Sequence, residues 1–371
     1  MPRSTVHGPQ KPKYQELLES LSKGIKSGRF QPGAKLPSES ALVKQFSTSR
    51  ITVGRALREL QQAGLVERIA GSGTYVRPHQ AIDSTTLLFG LLIPDLGETE
   101  IFGPICQGIA NASDSREHGL LWGHVDVTQT KEEQSWQLCQ QFIARQVAGV
   151  FFAPLEYEMG AEQWNRKILE AFAEVHIPVV LLDRRLSHAP DRNRPDMVGL
   201  NNRQAGYLAT DHLIKRGCKH IGFLGHHGSA FTIEERMTGY KEALTANGLR
   251  MPFAVSSEDD RSSEEMDGVD AFVCANDRIA GDMMHTFLRQ GLRIPGDIRL
   301  VGIDDVRYAS LLPVPLTTVR QPCREVGEVA LHTMMNRIDR PKMPARDVLI
   351  DGELVVRRSC GAHLELQPAV N

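Results

Sequence analysis

Four short apolar runs in this chain hand over directly to residues that exchange hydrogen bonds and charge. Asp95 follows FGLLIP, Asp183-Arg184 follows VVLL, Asn276-Asp277 follows AFVCA, and Asp304-Asp305 follows LVGI. Carboxylates accept, a guanidinium donates and a carboxamide does both, so a gathering of these groups suits ligand hydroxyls. A second set lies near the N-terminus. Arg50, Thr52, Arg55 and Arg58 are interleaved with Val53, Ala56, Leu57 and Leu60, which recur at the spacing of one buried helix face. Arginines on the opposite face can reach base edges or phosphates, and threonine suits methyl and phosphate contacts.

The elements that must carry these groups follow from the flanking pattern. Ser49 can cap the arginine-bearing helix, which runs to Gly64, and residues 65–69 and 74–76 read as two strands turned through Gly71-Ser72-Gly73. Leu17, Leu18, Leu21 and Ile25 predict an earlier helix over 14–27 closed by Gly28, and Ser38-Glu39 opens a second through Phe46. Residues 31–37 form a rigid connector between them. Three helices and a hairpin make a winged helix-turn-helix unit at residues 1–77. An ordinary amphipathic helix beside a surface hairpin is the competing reading, and charge decides against it. Residues 1–78 hold thirteen Lys or Arg against five Asp or Glu, a net of +8; the chain of 371 residues carries −2, which leaves −10 for the rest. A basic head on an acidic body is what an electrostatic contact with nucleic acid requires.

Residues 78–86 lack apolar periodicity and read as a linker. Beyond them strand-length runs near 89–94, 150–153, 179–182, 220–224, 271–275 and 300–303 alternate with helical patterns, predicting a largely parallel α/β architecture. Any single acid at a strand end can simply cap the next helix. Four of them together point to one crevice outside the carboxyl ends of the strands. No apolar run approaches a membrane span and no signal peptide is visible, so a cytoplasmic protein without membrane contact is expected. Six cysteines, none in a CxxC pair, read as reduced core residues. No nucleophile elbow, phosphate loop or HExxH motif is present, so neither catalysis, metal nor cofactor is expected.

The motif KLPSESALVKQFSTSRITVGRALRELQQAGLVERIAGSGTYV, within 14–77, resembles the DNA-binding domain of the GntR family. FGLLIPDL, PVVLLDRR, ERMTGYKEAL, FVCANDRIAG and IPGDIRLVGIDDVRYASLLPVPLTTVRQP, within 87–360, resemble the effector domain of LacI-type repressors, itself similar to periplasmic sugar-binding proteins; 361–371 is a tail. Together they resemble the arabinose-repressor branch of GntR regulators. The resemblance implies two similar α/β lobes joined by three crossings, with residues 87–192 and 323–345 in one lobe and 193–320 with the final strand in the other. It implies that the helix from Ser49 enters the major groove of double-stranded operator DNA and that the Gly71–Thr74 turn lies in or near the minor groove. The expected DNA-contacting set is Ser38, Glu39, Ser49, Arg50, Thr52, Arg55, Arg58, Arg68, Gly71, Gly73 and Thr74. Related sequences often carry arginine where this chain has Gly54, which leaves base preference open.

For the effector, Asp183, Arg236, Asn276 and Asp304 match positions that hold ligand hydroxyls, with Gln321 at a crossing, and Asp95, Phe102 and Arg184 complete the expected set. Phe102, Trp122, Trp164 and Phe231 are either sugar platforms or core. The stretch 251–272 is shorter than the family's strand and helix, so that lobe is expected to lack a helix. The implied function is a homodimeric repressor of carbohydrate-utilisation genes released by a sugar. The competing effectors are a purine, a nucleoside or a phosphorylated sugar; a solute-binding module or a sugar-acting enzyme are the other classes.

Overall fold

A computed structural model describes residues 13–26, 29–31, 33–62, 65–69, 72–76, 86–94, 100–113, 116–123, 128–156, 160–186, 194–225, 231–250, 254–255 and 268–363. Gly28, Gly64, Gly71, Asp95, residues 78–85 of the linker and most of the tail lie outside this set. The chain divides into two compact units, residues 1–86 and 87–371.

In the first unit, helices α1 (Lys13–Lys26), α2 (Glu39–Phe46) and α3 (Arg50–Gln62) precede a hairpin of β1 (Val66–Ile69) and β2 (Gly73–Val76). Both predicted caps form: Ser38 Oγ accepts from Ala41 N at 3.2 Å and Ser49 Oγ from Thr52 N at 3.2 Å. Ser47, left-handed at φ 46°, ends α2 and turns the chain into α3. Leu17, Leu21, Leu42, Val53, Ala56, Leu57, Leu60, Val66 and Val76 bury one face of every element. The connector does more than join helices. Leu36 N donates to Thr74 O at 2.8 Å and Val76 N to Ala34 O at 2.9 Å, so it lies along β2 as a third rung.

The second unit holds two six-stranded sheets. The first lobe contains β3 (Leu87–Leu92), β4 (His118–Leu121), β5 (Gly149–Phe152), β6 (Val179–Leu182), β7 (Asp196–Leu200) and β13 (Asp347–Ile350), all parallel, in the order β13-β7-β6-β5-β3-β4. Its helices are α4 (Phe102–Asn111), α5 (Lys131–Ala144), α6 (Ala161–Glu174) and α10 (Cys323–Asp339). The second lobe contains β8 (Ile221–Leu224), β9 (Ala254–Val255), β10 (Ala271–Cys274), β11 (Arg299–Asp304) and β12 (Thr317–Arg320), with β14 (Glu353–Val355) antiparallel at its edge, and α7 (Asn202–Lys215), α8 (Phe231–Ala246) and α9 (Asp277–Arg289). Residues buried on both sheet faces, such as GVFF, VVLL and AFVC, explain why these strands read as continuous apolar runs.

The lobe boundaries differ from the expectation. β7, placed in the second lobe by the sequence, pairs with β6 and β13 and is buried at all five positions, so the first lobe extends to Leu200 and regains 347–350. The expected missing helix falls on 256–267, outside the described residues. The three crossings therefore lie near 200–202, 320–323 and 350–353, and they touch. Asn201 N donates to Ile350 O at 2.8 Å and Asn201 Nδ2 to Asp351 Oδ1 at 2.9 Å. A side chain on Gly352 would meet Val319 Cγ1 at 2.7 Å, Arg320 O at 3.0 Å and Leu200 Cδ1 at 3.3 Å.

Each lobe also contains one helix pair packed backbone to backbone. In α4 and α10, Gly108 and Gly327 face the carbonyls of Arg324 and Ile105; in α7 and α8, Gly206 and Gly239 face those of Arg236 and Arg203. A β-carbon has no room at any of the four. Gly108→Ala is expected to lower the melting temperature of the body, because overpacking against backbone costs about 1–3 kcal/mol and outweighs the helix-propensity gain of about 1 kcal/mol. Gly103→Ala, whose methyl meets nothing within 4 Å, is the matched control and should not lower it in calorimetric scans.

Candidate functional site

In the head, the outer face of α3 is where the expected DNA contacts meet. Arg50, Ile51, Arg55 and Arg58 are exposed along it, while Val53, Ala56, Leu57 and Leu60 face inward. The side chains differ in how far they are committed. Arg55 Nε donates to Glu59 at 3.3 Å and its guanidinium lies 4.5 Å from the Tyr14 ring, so it leans over α1. Arg58 Nε donates to Gly54 O at 3.3 Å. Thr52 is half-buried and shares a 2.8 Å hydrogen bond with the Ser49 hydroxyl, so both serve the helix cap. Glu39, at the start of α2, forms an ion pair with Arg68 on the hairpin, which ties wing to helix and neutralises both charges. Gly73 at φ 138° lies against the Lys35 side chain, where a β-carbon would come within 2.6 Å of Cε. Thr74 corrects an expectation: it is only 8% exposed and its carbonyl is bound by Leu36, so it faces the interior of the head and not a groove. Gly71 lies outside the described residues. Ile51 lies exposed on the same face of α3, although an apolar residue in a helix reads as core.

In the body, the strand ends do converge. Asp183 follows β6 in the first lobe and Asp304 ends β11 in the second; both take left-handed backbone, at φ 70° and 123°. Arg236, on α8 and 4% exposed, reaches Asp304 Oδ1 at 3.0 Å, Ala275 O at 2.5 Å and Asn202 Oδ1 at 2.7 Å. Gln321, in the crossing after β12, donates from Nε2 to Asp183 Oδ1 at 3.2 Å while its N–H donates to Asp304 O at 3.3 Å. Arg184 lies between Glu156, with which it is ion-paired, and Asp183 Oδ2 at 3.3 Å. One row of carboxylates, guanidinium groups and carboxamides thus runs from Glu156 in the first lobe to Asn202 in the second. Two further contacts span the lobes: Arg307 N donates to Glu100 at 2.6 Å, and the Arg185 guanidinium lies 5.3 Å from the Phe231 ring.

The remaining expected residues behave differently. Asn276 Oδ1 caps α9 by accepting from Ile279 N at 2.9 Å, so its oxygen is committed to the fold. Phe102 is fully buried in the core of the first lobe, with the Arg184 guanidinium 5.8 Å from its ring centre; it backs Arg184 and offers no exposed platform in this structure. Trp164 flanks Lys167 together with Trp136, on the helices α6 and α5. Asp95 is outside the described residues. Glu156 and Asn202 join the row although the sequence does not single them out: no continuous apolar run marks β7, and the APLE segment puts Glu156 four residues beyond β5.

Burial sets the electrostatics of the row. It pushes the Asp304 carboxyl up to about 6, against the lowering pull of Arg236 and with added repulsion from Asp183. Asp183 is raised by burial too, opposed by Arg236 and the Gln321 hydrogen bond. Behind them Asp277, fully buried, is pushed up to about 8 by burial and by Asp304. It accepts from Thr318 Oγ1 at 2.6 Å and Val306 N at 3.0 Å, and Gly302 leaves the space it fills. Burial, with Asp304 and Asp183, holds the Cys323 thiol up at about 12, an inert group.

Two outcomes are expected. An acid whose folded pKa is raised binds protons more tightly in the folded state, so its contribution favours folding at low pH and is lost as pH climbs from about 4 through the folded values. The body should therefore lose melting temperature between pH 5 and pH 8, and Asp277→Asn should flatten the upper part of that profile in scanning fluorimetry. In the head, Gly54 has no atom within 4 Å of a built β-carbon. Gly54→Ala should stabilise it by about 1 kcal/mol, read from its unfolding transition in denaturant.

Known proteins fit this geometry. A family model described as bacterial regulatory proteins, gntR family, matches residues 13–76, and one described as periplasmic binding protein-like domain matches 210–360. The arabinose metabolism transcriptional repressor of Geobacillus stearothermophilus is 29% identical, aligned over 94% of this chain and 97% of that protein. An HTH-type transcriptional repressor PurR of Actinobacillus pleuropneumoniae is 29% identical over 74% of this chain and 82% of its own. The LacI family transcriptional regulator of Enterococcus faecium, solved with bound ribose, shares the fold at a TM-score of 0.58 and 20% identity, covering 73% of this chain and 98% of that one. Among the described residues no helix is long and apolar enough to cross a membrane. The chain is a DNA-binding transcription regulator, in which a GntR-type helix-turn-helix head is joined to a periplasmic-binding-protein-like body.

Proposed function

We propose that this regulator is a homodimeric repressor whose body takes a neutral, polyhydroxylated ligand, a sugar, and whose operator binding weakens when the sugar is bound. The observation that carries the ligand class is the pairing of the cations at the first-lobe strand end. Arg184 is ion-paired with Glu156 and Asp183, and Arg185 with Asp347 at 2.6 Å. Arg236 is likewise balanced by Asp304. A phosphate needs cations in surplus, and here carboxylates compensate them. Alternating carboxylate, guanidinium and carboxamide groups instead present acceptors and donors in turn, the pattern that a row of hydroxyls completes without net charge.

Coupling to DNA requires two lobe arrangements with different ligand affinity. The row supports this, since Gln321 holds a first-lobe carboxylate and a second-lobe carbonyl and a bound hydroxyl would compete for the same partners. A two-fold dimer would set two heads on a pseudo-palindromic operator. The test is calorimetry of the full chain against arabinose, ribose, hexoses, disaccharides, their phosphates, and purine bases and nucleosides. Arabinose leads because the relative aligned along most of the chain is named for it. Heat from one neutral sugar, absent with its phosphate, is expected; binding only by a phosphate, purine or nucleoside would sink the sugar reading. Asp304→Ala should abolish sugar binding and leave operator binding in mobility-shift titration, whereas Arg50→Ala should do the reverse. Equal damage to both activities by either variant would contradict separate modules.

A further inference from the structure

Ile51 is 82% exposed in the first turn of α3, the most exposed of the large apolar side chains among the described residues. Burying it was open to the sequence, since the same helix packs Val53, Ala56, Leu57 and Leu60 completely. An isolated exposed aliphatic residue is unremarkable on most surfaces. Here its neighbourhood is unusual. Around a helix of 3.6 residues per turn, Ile51 falls between Arg55 and Arg58, at the middle of the outward arc, with Gly54 one turn further on beside Arg58. Gly54 has no side chain, no atom lies within 4 Å of where one would be, and Arg58 folds its Nε onto the Gly54 carbonyl. Arg55 is drawn aside toward Glu59 and Tyr14. The centre of the outward face is thus an isoleucine beside a bare stretch of backbone, flanked by cations.

We propose that Ile51 reads thymine, by packing its aliphatic side chain against the C5 methyl group in the major groove, with Gly54 admitting the helix closely enough for that contact. The proposal rests on the DNA-binding reading of the head and adds a base preference to it. The occupant follows from charge and chemistry. The head carries a net +8 over residues 1–78, which fits a polyanion and opposes a second copy of the same basic face. Among the four bases only thymine presents an apolar group in the major groove, and isoleucine can neither donate nor accept. Where a long polar residue at position 54 could bond a base edge, this chain leaves a gap, so an apolar contact replaces a hydrogen-bonded one at the centre of the helix.

The experiment uses a duplex selected by the full chain from a random-sequence library. Thymidines are replaced one at a time by deoxyuridine, which deletes only the methyl group. At a position repeated in each half-site, the replacement is expected to weaken binding about fourfold, the value of one buried methyl. Ile51→Ala should bind the thymidine and deoxyuridine duplexes equally, and Arg50→Ala should weaken both while keeping the difference between them. Because Ile51 is exposed, its melting temperature serves as the check that Ile51→Ala is folded. The proposal is overturned if no deoxyuridine position is sensitive, if the penalty survives in Ile51→Ala, or if that substitution changes sedimentation instead, which would place Ile51 in a protein interface. Failure to enrich any duplex would overturn the DNA-binding reading as well, so the two failures are distinguishable.

Discussion

The effector body depends on keeping two buried carboxylates from opposite lobes close enough to feel each other. Burial raises the proton affinity of both, Asp183 adds to the rise at Asp304, and neither would be tolerated in that position without the partners that oppose burial. Arg236 supplies charge to both, while Gln321 bonds the Asp183 carboxylate and the Asp304 backbone. A buried ion pair such as Arg236–Asp304 is a poor source of stability, because desolvation consumes most of its Coulombic gain. It is a good source of responsiveness. Any ligand that donates to these carboxylates relieves a cost that the closed lobes otherwise carry, and so changes the balance between arrangements.

That balance can be transmitted only if the lobes are stiffer than the joint between them. Backbone-to-backbone contact at Gly108, Gly327, Gly206 and Gly239 locks one helix pair in each lobe, with no side chain available to slide. The joint is built differently. Asn201 and Asp351 bond two of the crossings, and Gly352 packs on all three segments, so the strands move together or not at all. Arg236 is linked to Asn202, in the first crossing, and Gln321 belongs to the second. Two of the groups that meet Asp183 and Asp304 are therefore connected to the crossings directly. A shift at the site needs no long chain of intermediaries to reach them.

The sequence reveals the parts of this arrangement that arise from strong local patterns. Apolar runs of four or more residues bounded by acids, such as VVLL before Asp183 and LVGI before Asp304, are strands buried on both faces, and their carboxyl ends do meet. The capped helices at Ser38 and Ser49 are equally legible. What escaped has a common cause. β7 and β13 each begin on an aspartate, Asp196 and Asp347, and their lobe is decided by pairing with distant strands, which no local pattern encodes. Asp196 shows why: fully buried, it looks like a loop residue until Arg337 binds it through Nε and Nη2, each at 2.9 Å. The family resemblance places Thr74 with the hairpin turn at the DNA, but side-chain alternation in a two-stranded ribbon turns it inward.

Head and body use electrostatics in opposite ways, and the contrast explains why they occupy one chain without interfering. The head keeps many of its cations exposed, where each is weak and screened within about 10 Å at 0.1 M salt, and their sum serves attraction to a polyanion without regard to sequence. At the strand ends the body encloses charges and pairs them, Arg236 with Asp304 and Arg184 with Glu156 and Asp183. Its surplus of negative charge repels the same DNA that the head attracts, which confines contact with the duplex to the head. Base preference must then come from short-range contacts on α3. With Arg55 leaning on Tyr14 and Arg58 on the Gly54 carbonyl, two of its arginines are held by the protein's own groups, and the exposed apolar residue between them becomes the side chain best placed to distinguish one base pair from another.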